Sequence, residues 1–430
     1  MSKRHVLDKN EWSSVFKRLE ELVLANSGED EFEEIFKIIL VKLYTETVDE
    51  EFYDKTGIYS SNCSYERTCS LLQRAMEKWP DIIEGPPEIR LSPEHLLVCM
   101  DVLDGVRLSD ENFEVLDSLF EFLSNQSSKG SKGQYFTPRQ VIDFCVEILD
   151  PKPDETVVDP ACGSGGFLIH ALNHVEARYG VEKSRYAKEK LWGFDFEARA
   201  VRVAKALLLM AGGGHANIDR LNSLAMPDLF STTPEVVEKN SPRETIEDVI
   251  RAKTRNFKGF DIILTNPPFA GEIKEKRFLD SYELASGRDK IERDALFIER
   301  CVGLLRPGGR IAIVLPHNKV GGHSWATMRR WLLMRVQITA VLGLGRNTFL
   351  PHTSQKASVV FGIKRPRVLR RMPSESIKFL INERDGKDSK GQVIEREGAT
   401  FLQPAWQRVD HDLDELAKAV KGANGLHNRI

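Results

Sequence analysis

What this sequence lacks narrows it first. Its longest apolar runs, such as Ala206–Ala211 and Ile311–Leu315, are far too short to span a bilayer. The opening residues, MSKRHVLDKNEW, contain no apolar signal core, so the expectation is a cytoplasmic protein with no membrane association. No two cysteines form a CxxC pair. The six present (Cys63, Cys69, Cys99, Cys145, Cys162 and Cys301) are irregularly spaced, which suits reduced thiols and argues against a disulfide framework or structural zinc. GxxxxGK[ST] is missing, which excludes a P-loop, and HExxH is missing too. There is no internal repeat and no excess of one charge.

What is present is an ordinary globular composition over 430 residues, with 41% hydrophobic and 29% charged side chains. The length suggests two or three domains. The net charge of −3 argues against a protein that coats nucleic acid on its own. That average hides an asymmetry. Residues 1–128 hold 13 basic and 27 acidic side chains, and the remainder holds 48 basic and 37 acidic. An acidic front of −14 therefore precedes a basic body of +11, marking a candidate domain boundary.

Helical spacing dominates the front. Trp12, Phe16, Leu19, Leu22 and Val23 recur on one face, as do Phe32, Ile35, Phe36, Ile39 and Leu40. Leu91–His95 (LSPEH) predicts a helix start with Ser92 as N-cap and Pro93 at the first position. The plain expectation is a helical docking domain, residues 1–123, with a solvated acidic surface. Residues 124–134, SNQSSKGSKGQ, have linker composition. From 135 to 365, strands alternate with helices, the pattern of a parallel α/β sheet that binds ligands at the carboxyl ends of its strands. Strands are expected at Thr156–Val158, Leu191–Phe194, Asp261–Thr265, Arg310–Leu315, Ile338–Leu342 and Ala357–Ile363, the last two antiparallel. Leu304–Leu315 reads as a helix, a Pro-Gly-Gly turn and a strand. Two long insertions, Met226–Lys258 and Ala270–Arg293, interrupt the pattern. Residues 366–430 form an extension in which a strand or two, a charged loop (ERDGKDSKGQ) and a terminal helix from about Asp410 to Val420 are expected.

Three positions suggest a ligand. Val157–Phe167, VVDPACGSGGF, places an acid (Asp159) at a strand end, then a glycine turn, then a helix. Gly163, Gly165 and Gly166 allow close backbone approach, and the helix start presents free N–H groups. Ala161, Ser164 and Phe167 complete this turn. The second strand ends in Asp195, 36 residues later, where a carboxylate can accept both ribose hydroxyls of a nucleoside; a helix cap at Glu197 is the alternative. Asn222, Ser223 and Leu224 follow the third strand and can border an adenine ring, unless Asn222 only forms a turn.

The most informative motif is Thr265-Asn266-Pro267-Pro268-Phe269, directly after a strand. Two prolines put rigid backbone where no ladder bond can continue. The Asn266 amide oxygen and the Pro267 carbonyl can both accept hydrogens from one exocyclic amine, aiming its lone pair at an electrophile. Phe269 offers a face for a planar base.

The set DPACGSGG and NPPF resembles the adenine-N6 DNA methyltransferases, which use S-adenosyl-L-methionine. A third element, Gly133–Arg139 (GQYFTPR), lies before the glycine turn, which resembles the gamma order of these enzymes. An acidic helical domain in front of it resembles the M (modification) subunit of type I restriction–modification systems. The resemblance implies a class I methyltransferase fold, Rossmann-like with a mostly parallel seven-stranded sheet, behind an N-terminal all-helical domain. It implies that Tyr135, Phe136 and Thr137 lie beside the methionine end of the cofactor. It also implies an aromatic near Gly345–Pro351, with Phe349 as a second stacking face or else as a core residue. The expected substrate is adenine in double-stranded DNA, and no metal is needed. Only 65 residues follow Arg365, too few to read a DNA site, so partners are expected: a specificity (S) subunit, a restriction (R) subunit and a second M subunit. Rival readings are an RNA or protein-glutamine methyltransferase with the same motif, and a silent cofactor-binding scaffold.

Weaker features are His170 and His174, four apart on a helix without a third ligand, and Cys162, a small residue suited to a tight turn. Lys274, Lys276, Arg277 and Arg288 are phosphate contacts or a solvated loop.

Overall fold

The structure is a computed structural model that describes residues 18–19, 21, 30–48, 65–80, 82–83, 85–103, 108, 136–214, 216–226, 245–400, 403 and 405–422. The expected linker 124–134, Tyr135, Trp12, Phe16, Leu22, Val23 and most of the first insertion lie outside the described residues. The chain divides into two compact units, Met1–Gly130 with Lys205–His215, and Ser131–Ala204 with Ala216–Ile430. No helix among the described residues is long and apolar enough to cross a membrane.

In the first unit the described elements are helices: α1 (Glu31–Thr47), α2 (Tyr65–Lys78) and α3 (Pro93–Val102). Asp30 caps α1 by accepting the Glu33 N–H. Ser92 caps α3 as expected, accepting the His95 N–H with Pro93 at the first position. The acidic surface is not wholly solvated. Glu34 and Glu46 are buried, paired with Lys37 at 2.6 Å and Lys42 at 3.0 Å. Buried carboxylates persist only with such partners.

The second unit is built on one sheet. Its elements in order are α4 (Arg139–Leu149), β1 (Val157–Asp159), α5 (Gly166–Tyr179), α6 (Lys183–Lys190), β2 (Leu191–Asp195), α7 (Ala198–Met210, whose last residues belong to the first unit), β3 (Asn217–Arg220), α8 (Ile246–Lys253), β4 (Phe260–Thr265), β5 (Glu272–Ile273), α9 (Lys276–Asp280), β6 (Ile291–Glu292), α10 (Arg293–Leu304), β7 (Leu305–Pro316), α11 (His317–Gly321), α12 (Ala326–Arg335), β8 (Val336–Gly343), β9 (Ala357–Lys364), β10 (Lys378–Ile381), α13 (Ala405–Arg408) and α14 (Leu413–Gly422). The strand order is β10-β8-β9-β7-β4-β1-β2-β3. Within this eight-stranded sheet every pairing is parallel except those of β9, which lies antiparallel between β7 and β8. The mostly parallel sheet and the antiparallel last pair are as expected; β10 adds an eighth strand at the edge.

The central strands read as unbroken apolar runs because both faces are covered. β1 and β2 are buried at every residue. Helices α4 and α5 pack on each other and on central strands, and α10 and α12 pack on each other and on β7 and β8. A hydrophobic cluster joins Trp192, Phe260 and Ile313 to Leu296 and Met328.

Three segments differ from expectation. β7 starts at Leu305 rather than Arg310, and the Pro-Gly-Gly turn is a bulge inside it: Phe260 pairs with Leu305, and Ile262 already pairs with Arg310. The insertion Ala270–Arg293 is no open loop. It forms the β5–β6 hairpin and α9, and sends Phe278, Leu279, Tyr282 and Ile291 into the core. Some of its charges pair within it, Lys274 and Lys290 with Glu272, and Arg277 with Glu275. Residues after Arg365 join the same unit, through β10 beside β8 and α14 against α4.

Candidate active site

The site forms at the carboxyl ends of β1, β2, β3 and β4, where an α/β sheet presents its loops. Asp159 closes β1 with 1% exposure. Its Oδ1 accepts the Ala161 N–H at 3.0 Å and the Thr265 hydroxyl at 2.6 Å. Burial raises this carboxyl to about 7; the Thr265 and Ala161 donors pull it down and the nearby Asp195 charge pushes it up.

The glycine turn follows. The Cys162 N–H donates to the Phe194 carbonyl at 3.0 Å, which holds the turn against the end of β2. Gly163 lies at φ +51°, and a β-carbon there would meet nothing within 4 Å, so the turn faces open space. Gly165 takes φ 82° at the N-cap of α5, a left-handed position that favours glycine. Gly166 sits under the Arg139 guanidinium, which would clash with a β-carbon. Ser164 and Phe167 are buried and Ala161 is half-buried. Cys162 is buried and its thiol is raised well above its ordinary value by burial, the state of a packing residue rather than a nucleophile.

Asp195 takes the second of its expected readings, the cap at Glu197, and adds a bond to the glycine turn. Its Oδ1 accepts the Glu197 N–H and its Oδ2 accepts the Gly163 N–H, each at 3.0 Å. It thus caps the next turn and braces the glycine turn, with burial raising its carboxyl against those donors. The Leu221 N–H donates to the Asp195 carbonyl at 2.9 Å, bringing Asn222, Ser223 and Leu224 to the same strand end. Asn222 does form a turn: its Oδ1 accepts the Leu224 N–H at 3.1 Å. This loop is held from the other side. Arg300 Nε donates to the Ser223 carbonyl at 2.6 Å, and the Tyr282 hydroxyl donates to the Leu224 carbonyl at 2.7 Å. Arg300 also grips Glu247 through both oxygens, at 2.6 and 2.7 Å.

The Thr265–Phe269 turn leaves β4. Asn266 Nδ2 donates to Thr137 Oγ1 at 2.9 Å, so the segment before α4 meets the turn after β4. Pro267 and Phe269 are buried, while Phe136, Thr137, Asn266 and Pro268 are half-buried. Phe269 meets Phe349 edge to face, with ring centroids 5.8 Å apart at 72°. Phe349 is 2% exposed. The two rings touch, so no base fits between them as they stand; Phe349 buttresses Phe269 and is not an opposite wall.

Thr137, Asn266, Thr265, Asp159, Ala161, Gly163 and Asp195 thereby form one connected chain across three strand ends. The histidine pair does not take part. His170 is buried beside Trp406, 4.6 Å between ring centres, with burial lowering its pKa, and His174 Nε2 lies 2.8 Å from Asp150 Oδ1. Thr265, Tyr282 and Arg300 are partners that sequence patterns did not single out; only the position of Thr265 inside its motif hinted at a role.

A mostly parallel sheet with one antiparallel strand near its edge, and a glycine turn after its first strand, define the class I methyltransferase fold. A putative class I S-adenosylmethionine-dependent methyltransferase from Listeria monocytogenes aligns with a TM-score of 0.55 at 13% identity, over 86% of this chain and 92% of that one. The family profile of N-6 DNA methylases matches residues 112–423, and the chain belongs to that family. It is 27% identical over 251 residues to the type I restriction enzyme EcoEI methylase subunit of Escherichia coli, 57% of this chain and 45% of that one. A modification subunit of a putative type I restriction enzyme from Vibrio vulnificus YJ016 has the same fold, with a TM-score of 0.64 at 18% identity over 92% of this chain and 87% of that one. The chain spans about half the length of the curated relatives it matches.

Proposed function

We propose that this chain is the modification subunit of a type I restriction–modification system, a site-specific DNA methyltransferase acting on adenine N6 with S-adenosyl-L-methionine as donor. The observation that carries this is the 2.9 Å bond from Asn266 to Thr137, which joins the turn that would hold an amine to the segment expected beside the cofactor. The donor set suits the cofactor: Gly163 faces open space, and buried Asp195 stands at the next strand end. A carboxylate oxygen accepts more than one hydrogen bond, so Asp195 serves the ribose hydroxyls as well as the backbone. Ala161, Ser164, Gly165, Gly166 and Phe167 shape the turn and the helix start. Asn222, Ser223 and Leu224 border the adenine, and Tyr135, Phe136 and Thr137 border the methionine end.

When bound, S-adenosyl-L-methionine supplies a methyl group already bonded to a cationic sulfur. The chain's own work is positioning and electrostatics. The target adenine leaves the duplex and lies on Phe269. Asn266 Oδ1 and the Pro267 carbonyl accept its two N6 hydrogens and orient the nitrogen lone pair. Pro268 stiffens the turn. The double-stranded DNA site is read by a specificity subunit, a reading supported by the likeness to type I methylase subunits. A restriction subunit and a second modification subunit complete the assembly.

Asn266→Ala tests the assignment. It should abolish methyl transfer to DNA and leave cofactor affinity largely intact, as measured by calorimetry. Loss of cofactor affinity with retained turnover would contradict the role.

A further inference from the structure

The loop Gly345–Pro351 between β8 and β9 carries Phe349, and a single later segment grips it. The Asn347 N–H donates to Asp385 Oδ2 at 2.8 Å, and Asn347 Nδ2 donates to the Lys387 carbonyl at 3.2 Å. Lys387 Nζ donates to the Leu350 carbonyl at 2.6 Å, and the Gly345 N–H donates to Asn382 Oδ1 at 3.3 Å. Shape agrees with these bonds. A β-carbon on Gly391, which takes φ +85°, would lie 2.7 Å from the Pro351 nitrogen. The gripping segment is braced internally, as Asp388 accepts the N–H groups of Lys390 and Gln392 at 2.8 Å each. It is braced externally as well, since Gln140 of α4 donates to the Asp385 carbonyl at 3.4 Å.

Asp385 is 9% exposed, and both of its oxygens accept backbone N–H groups, Asn347 on one side and Lys387 on the other. Such a charge-assisted bond is strong and directional. The held loop ends in a buried ring that touches Phe269 edge-on. A shift of the loop therefore reaches Phe269 through one aromatic contact, because packed rings transmit displacement.

We propose that Asp385, through the segment Asn382–Gln392, is a positioning residue for the target base: it sets Phe349, which sets Phe269. This rests on the adenine-methylation reading above. Asp385 itself touches no reacting group.

The test is a double-mutant cycle on the full chain, assayed under conditions in which the wild type methylates genomic DNA. Asp385→Ala should lower kcat by about ten- to a hundredfold, the scale of a small misplacement at a reacting centre. Cofactor affinity should stay near wild type, and the thermal transition should fall by a few degrees, about the loss of two buried hydrogen bonds. Asp385→Asn should recover most of the rate, because its amide oxygen still accepts the Asn347 N–H. Phe349→Leu should lose a similar factor, and the double variant should be no slower than the slower single one. Losses that multiply independently, or full kcat in Asp385→Ala, would overturn the proposal alone. If Asp385→Ala fails to fold, the cycle is run with Lys387→Met, which removes the same segment's bond to the Leu350 carbonyl, and is judged by the same criterion. A wild-type chain that transfers no methyl to adenine would overturn the underlying reading and this proposal with it.

Discussion

Asn266 donates its side-chain amide to the Thr137 hydroxyl at 2.9 Å, linking a residue just ahead of α4 to one just past β4. The two are far apart in sequence and are brought together because α4 packs on β4. In this arrangement the amide nitrogen faces Thr137, and the proposed chemistry needs the amide oxygen toward the amine.

Thr137→Val keeps the shape of the side chain and removes the acceptor. Loss of one hydrogen bond is worth about 1 kcal/mol. We expect the rate to fall by about fivefold, more than cofactor affinity does, in single-turnover methylation. Thr137→Ser should restore the rate.

Asp159 makes stability depend on pH. Its folded value of about 7 lies above the ordinary 3.8, so the folded chain holds a proton that the unfolded chain has lost. This group therefore lowers stability as pH rises from about 4 to about 7, and the contribution returns as pH falls. Asp159→Asn retains an oxygen to accept from Thr265 and Ala161 and removes the buried charge. Urea unfolding at pH 5 and pH 8 should show the variant gaining on the wild type at the higher pH. Parallel behaviour at both pH values would contradict this.

Arg310 is a structural charge. Its guanidinium meets both oxygens of Glu155 at 2.6 and 2.7 Å and donates to the Leu149 carbonyl at 2.9 Å, tying β7 to the end of α4. Removing one partner leaves a buried charge, which costs about 3–5 kcal/mol. Arg310→Ala should lower the urea midpoint accordingly, and a loss below about 1 kcal/mol would place the pair with ordinary surface bridges.

Tyr282 offers a milder probe of the cofactor side. Tyr282→Phe removes the donor to the Leu224 carbonyl and nothing else of size. Cofactor Kd should rise severalfold, about 1 kcal/mol, with kcat at saturating cofactor retained. Unchanged Kd would detach Leu224 from the cofactor.

Much of this was legible in the sequence for one reason: strands buried on both faces are continuous apolar runs, and the motifs sit at their ends. The β1, β2, β4, β7, β8 and β9 strands lie within a few residues of where those runs fall. Helix α6, KSRYAKEK, was missed because only Tyr186 and Ala187 are buried in it. Helix α8 carried a readable signal, the Thr245–Asp248 capping box, inside a stretch read as an insertion. β10 falls where a strand or two is expected after Arg365, but it is short and exposes Phe379 and Ile381, so no inward-facing pattern marks its place. At the site, the motifs named Asn266, Asp159 and Asp195, but their bonds to Thr137, Thr265 and Gly163 depend on strand order. Phe349 was legible as an aromatic near the site and not as a buried neighbour of Phe269.

The central claim is methyl transfer to adenine in DNA. The direct measurement mixes the chain with labelled S-adenosyl-L-methionine and genomic DNA, with and without its candidate specificity subunit, and digests the product to nucleosides. The account predicts label in N6-methyladenine when that partner is present and none with Asn266→Ala. Label in RNA or protein, or no label in adenine with the partner supplied, would contradict it.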